Sequence, residues 1–220
     1  MKTCIVLGSR SEIAIDLTQR LVSDGWDYHG WHRDCQVPLV PWSLVLCAIG
    51  AVAPVGLWHE PDVWDWANGV ESNVLLPMML LRRLWKYRNG NATVCFLAGS
   101  NPNKVMSGYS AYNAGKMALL KVVEQLDHET PDTKFFALGP GYIPTKIHKP
   151  TLEACWPNER ISSDKPPSSV EKVYDCLKWC LDQPKEVIGG RNICVSDPYG
   201  PELAERLKNN NALFKLRRVE

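Results

Sequence analysis

Apolar runs and amphipathic stretches alternate along the chain in a regular order. Residues 3–7 are continuously apolar, the pattern of a short strand buried on both faces. Residues 12–24 place Ile13, Leu17 and Leu21 on one helical face, and Gly25 stands where a helix ends. Residues 26–32 predict a second strand and residues 43–49 a third, fully apolar one. A long helical pattern covers 62–87, with a bend expected near Pro77. A strand at 92–98, a helix at 110–128 and a strand at 134–138 follow. Residues 139–167 are rich in proline and lack a clear period, and a helix at 168–182, a strand at 192–195 and a short helix at 201–208 complete the chain. Such alternation predicts an α/β protein: a doubly wound parallel sheet with helices on both faces, in three α/β/α layers. At 220 residues it fits one domain, 1–220.

One interval is short. Only nine residues, 34–42, separate Arg33 from the third apolar run. Parallel neighbours need a crossover of about a dozen residues, so a helix–strand–helix insertion does not fit. At most, Val37 to Val40 makes a stub edge strand, with Pro38 and Pro41 suited to an edge. The region around strand three is therefore read as truncated.

Composition narrows the partners. A hydrophobic share of 45% with 22% charged residues excludes a disordered chain. The net charge of +1 gives no electrostatic case for nucleic acid or for an anionic membrane. Residues 1–8 lack the long apolar region and cleavage site of a signal peptide, and no apolar run reaches the ~18 residues of a membrane span. The expectation is a cytoplasmic protein, in which the Asn91-Ala92-Thr93 sequon carries no sugar. Eight cysteines contain no Cys-x-x-Cys pair. Cys4, Cys47, Cys95 and Cys194 lie in apolar strands, and Cys176 and Cys180, four apart on a helix, lack neighbouring His or Cys. The expectation is structural cysteine and no metal.

Four local patterns carry chemistry. Gly8-Ser-Arg-Ser-Glu-Ile-Ala14 joins the first strand to the first helix, where a glycine turn feeds backbone N–H groups and a positive dipole end toward a pyrophosphate. Ser9 and Ser11 offer hydroxyls to it and Arg10 a charge, while Glu12 and Ala14 stand at places where glycine is usual. Read alone, the stretch is equally a capped helix after a buried strand. Tyr112 and Lys116, four apart on a helix, share a face. A tyrosine hydroxyl ionises near pH ~10, and an adjacent ammonium lowers that value. Read alone, the pair is as well a surface coincidence. Ser100 follows the strand at 92–98, at a carboxyl end where open α/β sheets bind ligands, and a serine there can bond a substrate oxygen. Ser107 and Ser110 lie too close to Tyr112 to come from that strand end. Gly139-Pro-Gly-Tyr-Ile-Pro-Thr145 follows the next strand, with glycines that let backbone approach a flat ring.

In this order, the four patterns resemble the short-chain dehydrogenase/reductase family across residues 3–198. The resemblance implies a Rossmann-like fold and a catalytic set of Asn73, Ser100, Tyr112 and Lys116, with Asn73 helping to hold a relay water. It implies cofactor contacts from Gly8, Ser9, Arg10, Ser11, Glu12, Ile13, His32, Arg33, Ala48, Ile49, Gly50, Tyr112, Lys116, Pro140, Gly141, Ile143 and Thr145. The Gly8 turn matches a minority Gly-x-x-Ser-x-Ile-Ala form, and Leu46-Cys-Ala-Ile-Gly50 stands where the family shows Asn-Asn-Ala-Gly. NAD-preferring members carry an acid at the end of strand two. Here Trp31-His32-Arg33 stands there, and Arg33 with Arg10 is suited to bracket a 2′-phosphate. NADP is the expected cofactor, with NAD open through Asp34.

The implied activity is hydride transfer between the nicotinamide and a carbonyl or secondary alcohol. Residues 142–167 would form a substrate lid, and 199–220 a tail. The lid's His148, Lys149, Arg160 and Lys165 suit either a phosphate or solvent. Gly190-Arg-Asn192 and the segment 213–218 resemble reductases of sugar-nucleotide and surface-polysaccharide metabolism, which ranks a sugar-derived carbonyl first. A keto-acyl or small-ketone reductase, a non-catalytic dinucleotide-binding module and an assembly subunit are the alternatives. The helices near 73–88 and 110–128 are the family's usual dimer-forming pair, which implies a homodimer or homotetramer.

Overall fold

The computed structural model describes residues 2–99, 104–154, 156 and 166–217. Its elements run β1 (Thr3–Leu7), α1 (Glu12–Ser23), β2 (Asp27–Trp31), β3 (Trp42–Cys47), α2 (Val63–Asn73), α3 (Leu75–Leu84) with a 3-10 turn at Trp85–Tyr87, and β4 (Arg88–Leu97). They continue through α4 (Ser110–Glu129), β5 (Thr133–Gly139), a 3-10 turn at Lys146–His148, α5 (Lys149–Glu153), α6 (Val170–Asp182), α7 (Lys185–Ile188), β6 (Asn192–Cys194) and α8 (Pro201–Asn209). The strands form one six-stranded sheet in the order β2-β1-β3-β4-β5-β6, with every pairing parallel.

Both faces of the sheet are covered, as the continuous apolar runs require. Successive side chains of a strand point to opposite faces. Cys4 and Val6 accordingly pack with Leu44, Leu46, Phe136 and Leu138 beneath α1 and α6. Ile5 and Leu7 pack with Val45, Val94, Phe96 and Phe135 beneath α3 and α4. Six described cysteines are buried and all seven described are free thiols, with Cys35 the partly exposed one. Burial pushes the Cys47 thiol up to about 11. Among the described residues no group of His, Cys, Asp and Glu could hold a metal, and no helix is long and apolar enough to cross a membrane.

The order is that of a doubly wound sheet lacking the strand that normally lies outside β2. Residues 37–40 form no strand, so the expected stub is absent. Ten residues, 32–41, carry the chain from the top of β2 past β1 to the bottom of β3. Extended chain covers about 33 Å in ten residues, and the return needs about 20 Å, from two strand spacings and five residues of rise. The segment therefore crosses the sheet face instead of pairing at its edge, and its Val37 joins the buried cluster that holds Trp31, Trp42 and Leu81.

The helix break also differs from the expectation. It falls at Val74, whose φ of −135° leaves the helical region. Pro77 is the third residue of α3, in the first turn, where a missing N–H costs no intrahelical bond. The Trp42 indole donates to the Leu84 carbonyl at 2.9 Å and closes the far end of α3.

Lys134, on β5, lies under the C-terminus of α6 and is 9% exposed. Its Nζ donates to the carbonyls of Cys180, Leu181 and Gln183 at 3.1, 2.9 and 2.7 Å. These are orphan carbonyls at a helix end, and the ammonium also suits the negative end of the helix dipole. Lys134→Ala is expected to lower stability by about 2–4 kcal/mol. Urea denaturation measures it; a loss below about 0.5 kcal/mol would mean that water replaces the ammonium at no cost.

Candidate active site

The carboxyl ends of β1, β3, β4 and β5 open on a cleft of about 420 Å³. Its walls come from the start of α1, the turn after β3, α4 and the segment after β5. Arg10, Ser11, Glu12, Ile13, Ala48, Ile49, Gly50, Tyr112, Lys116, Pro140, Gly141, Ile143 and Thr145, all expected contact residues, line it together. A second hollow of about 210 Å³ adjoins it at the end of β2, lined by Gly8, Arg10, Trp31, His32, Arg33 and Ile49 among others.

The turn at Gly8 is tight. Its φ is +83°, and a Cβ there would lie 2.9 Å from the Ala48 carbonyl oxygen, so only glycine fits on either count. The backbone N–H groups of Gly8 and Ser9 both donate to the Trp31 carbonyl at 2.9 Å. The Ser9 hydroxyl donates to the same oxygen at 3.1 Å, turned toward β2. The Ser11 hydroxyl caps α1 by accepting from the Ala14 N–H at 3.2 Å. The Ser9 hydroxyl thus donates within the turn, while that of Ser11 accepts there and keeps its own hydrogen to donate. The Glu12 carboxylate reaches over the cleft and accepts from the Lys146 N–H at 2.6 Å.

Arg10 pairs with Asp34 at 2.7 Å, with both side chains largely exposed. His32 Nδ1 accepts from the Asp34 N–H at 3.3 Å. Arg33 lines the smaller hollow beside Arg10. Arg10 and Arg33, the two arginines expected around a 2′-phosphate, both border the smaller hollow, with Arg10 in an exposed ion pair to Asp34.

Tyr112 and Lys116 lie in the first two turns of α4. Small residues let α4 come close to α2. A Cβ on Gly115 would sit 2.6 Å from Asn73 Cβ, and one on Gly69 would sit 3.0 Å from Ala111 Cβ. This approach brings Asn73 and Lys116 to either side of Gly50, whose added Cβ would lie 2.9 Å from Asn73 Oδ1 and 3.0 Å from Lys116 Nζ. Asn73 is fully buried. Its Nδ2 donates to the carbonyls of Ala51 and Gly69 at 2.7 and 2.8 Å, and its Oδ1 accepts from the Ala51 N–H at 3.4 Å. It pins the turn after β3 to α2.

Lys116 is 3% exposed. Its ammonium donates to the Leu97 carbonyl at 3.0 Å and lies 5.9 Å from the Tyr112 ring centroid. Among the described residues it has no carboxylate partner. Burial lowers its pKa to about 8. The Tyr112 hydroxyl stands over Gly99 at the end of β4, where an added Cβ would be 3.2 Å from it. Ser100, the next residue, lies outside the described residues, as do 157–165 of the expected lid. Within 142–167 the described residues include the 3-10 turn and α5, and the Tyr109 hydroxyl donates to that of Thr151 on α5 at 3.0 Å.

Tyr142, Lys146, Ile147 and His148 also line the cleft, as do Val52 and Leu97. The expected site omitted them from its contacts. Their signal was positional: they adjoin the glycine loop after β5 and the ends of β3 and β4. The Tyr142 and His148 rings pack at 4.9 Å between centroids.

No family model matches the chain, and no curated protein matches it in sequence. Solved structures do match its fold. A small-chain dehydrogenase in complex with NADPH superposes with a TM-score of 0.75 at 16% identity, over 88% of this chain and 95% of that one. A 4-hydroxyisoleucine dehydrogenase complexed with NADH gives 0.71 at 14%, over 88% and 96%. The aldohexose dehydrogenase of Thermoplasma acidophilum gives 0.72 at 14%, over 90% and 96%. At such identities the likeness establishes the fold: this chain has the Rossmann-like fold of the short-chain dehydrogenases/reductases.

Proposed function

We propose that the chain is an oxidoreductase of the short-chain dehydrogenase/reductase kind, which uses a nicotinamide dinucleotide to interconvert a carbonyl compound and its secondary alcohol. One observation carries this reading: Tyr112 and the buried Lys116 ammonium, which has no carboxylate partner among the described residues, line one cleft at the carboxyl ends of the strands. The cleft suits a dinucleotide by its shape. At Gly8 and Gly50 the backbone packs too closely on Ala48, Asn73 and Lys116 to admit a Cβ, and this draws the turns after β1 and β3 together beside the cleft. The start of α1 supplies a positive dipole end for the pyrophosphate, and the Pro140-Gly141, Ile143 and Thr145 segment supplies a wall for the nicotinamide.

A bound nicotinamide supplies or accepts the hydride. Tyr112 Oη gives the proton to the carbonyl oxygen in reduction and takes it in oxidation. The Lys116 charge favours the phenolate that remains. Ser100, which follows Gly99 in the sequence, is assigned to the substrate oxygen by the family resemblance. Asn73, expected to hold a relay water, has both amide hydrogens committed to Ala51 and Gly69. We assign it the positioning of the Gly50 turn, with a relay water at the Lys116 ammonium.

NADP is the preferred cofactor in this reading, because Arg33 and His32 line the hollow at the end of β2 and Asp34 is drawn to Arg10. A sugar-derived carbonyl ranks first as substrate; the fold neighbour that acts on aldohexoses supports this. Free, buried thiols support a reducing compartment, the cytoplasm. Leu75 and Met79, one turn apart on α3, are 54% and 60% exposed and support a second copy docking there.

A thermal-shift assay with NADPH, NADH and neither tests the reading. NADPH at a hundred times its Kd is expected to add about 2.7 kcal/mol of stability. Arg33→Ala is expected to weaken NADPH about tenfold and NADH less than about twofold. No shift with either dinucleotide overturns the assignment. Binding without any Tyr112-dependent turnover would instead favour a non-catalytic dinucleotide module.

A further inference from the structure

Glu12 is the first residue of α1, directly after the cap at Ser11. Its side chain leaves the helix and meets the Lys146 N–H at 2.6 Å, 134 residues further along the chain. Both residues line the larger cleft, on opposite walls. Lys146 opens a 3-10 turn that has no side-chain cap of its own, so its N–H is an orphan donor that the Glu12 carboxylate fills. Among the described residues no cation pairs with Glu12, and the nearby Arg10 is spent on Asp34. The carboxylate of Glu12 therefore occupies the positive end of α1 and faces the start of the turn after β5, with no side-chain cation beside it among the described residues.

An anionic group entering there would seek the same two walls. A pyrophosphate brings negative charge of its own, and it would compete with the carboxylate for the same positive helix end and be repelled by it at a few ångströms. We propose that Glu12 is a built-in competitor for the pyrophosphate: its carboxylate clasps Lys146 in the free protein, and a dinucleotide must displace it to bind. The inference rests on the dinucleotide reading above. It makes residue 12 the position that sets cofactor affinity, and it makes release of the Lys146 segment part of binding.

Calorimetric titration of NADPH and NADH into the wild type, Glu12→Ala and Glu12→Gln tests this. Glu12 is exposed, so neither variant disturbs the core. Glu12→Ala is expected to bind NADPH about tenfold more tightly than the wild type, and Glu12→Gln, which keeps an acceptor for Lys146 but no charge, about threefold. Without nucleotide, the Lys146 amide is expected to exchange its hydrogen faster in Glu12→Ala than in the wild type. A role as a mere brace predicts the reverse for affinity: loosening the wall would weaken binding. Unchanged or weaker binding by Glu12→Ala, when the wild type binds, overturns the proposal. If neither the wild type nor the variants bind either dinucleotide, it is the dinucleotide reading that falls, while the exchange rate at Lys146 still reports on the clasp.

Discussion

Tyr112→Phe is expected to lower turnover by about 10²–10⁴-fold, the range that general acid–base groups contribute. The best substrate from a screen of sugars and small ketones serves for the measurement. The substitution removes one oxygen from a half-buried ring and leaves Lys116, its bond to Leu97 and the glycine turns beside the cleft in place. Dinucleotide affinity is therefore expected to stay within about threefold of the wild type, a difference of under ~1 kcal/mol. The split between turnover and affinity is the informative part. Loss of both would make the hydroxyl a structural anchor, and retention of turnover would remove Tyr112 from the chemistry.

Lys116→Met is expected to abolish turnover and yet raise stability. The ammonium is buried with one carbonyl partner, and burial lowers its pKa from 10.5 to about 8. A lysine that binds its proton more weakly when folded is a cost to folding wherever the unfolded chain is protonated. The cost is complete below pH 8, shrinks as the pH rises from 8 toward 10.5, and vanishes above that. Methionine fills a similar volume without charge, so the gain at pH 7 is on the order of 2 kcal/mol, less than the full shift because the Leu97 carbonyl loses its donor. Thermal melts at pH 7 and pH 10 check the sign: the variant's advantage should be larger at pH 7. A variant less stable than the wild type at pH 7 would mean that the Leu97 bond outweighs the cost of burying the charge. A functional group that destabilises its own fold is the ordinary exchange of stability for activity.

The middle of the sheet was legible in the sequence because β1, β3, β5 and the second half of β4 are buried on two faces and read as apolar runs. The 3–7 run became β1 at Thr3–Leu7 without change. The order of the site was legible for a related reason: Gly8, Gly50, Tyr112 and Gly141 follow strand ends or open helices, and in a parallel sheet all strand ends converge. Three features were not legible. The break at Val74 depends on how α2 and α3 lean on α4 and the sheet, whereas Pro77 drew attention because a proline marks itself in any sequence. The path of 32–41 depends on the space above β1, which no local pattern encodes. The bonds that engage the hydroxyl of Ser9 and the carboxylate of Glu12 are made to atoms brought close only by the fold. The residue types in the turn suggested affinity for phosphate; their geometry shows prior commitments.

The crossing segment leaves β2 as an outer strand of the sheet, a place where bare backbone invites another chain to add itself. The strand is poorly suited to such pairing. It is five residues long, reads Asp-Tyr-His-Gly-Trp, and sets Asp27 and His29 3.3 Å apart at its start with a glycine beyond them. Short length, polar side chains and a glycine are the features that keep an open edge from seeding aggregates. Shortening the fold at this point thus comes with an edge of low stickiness.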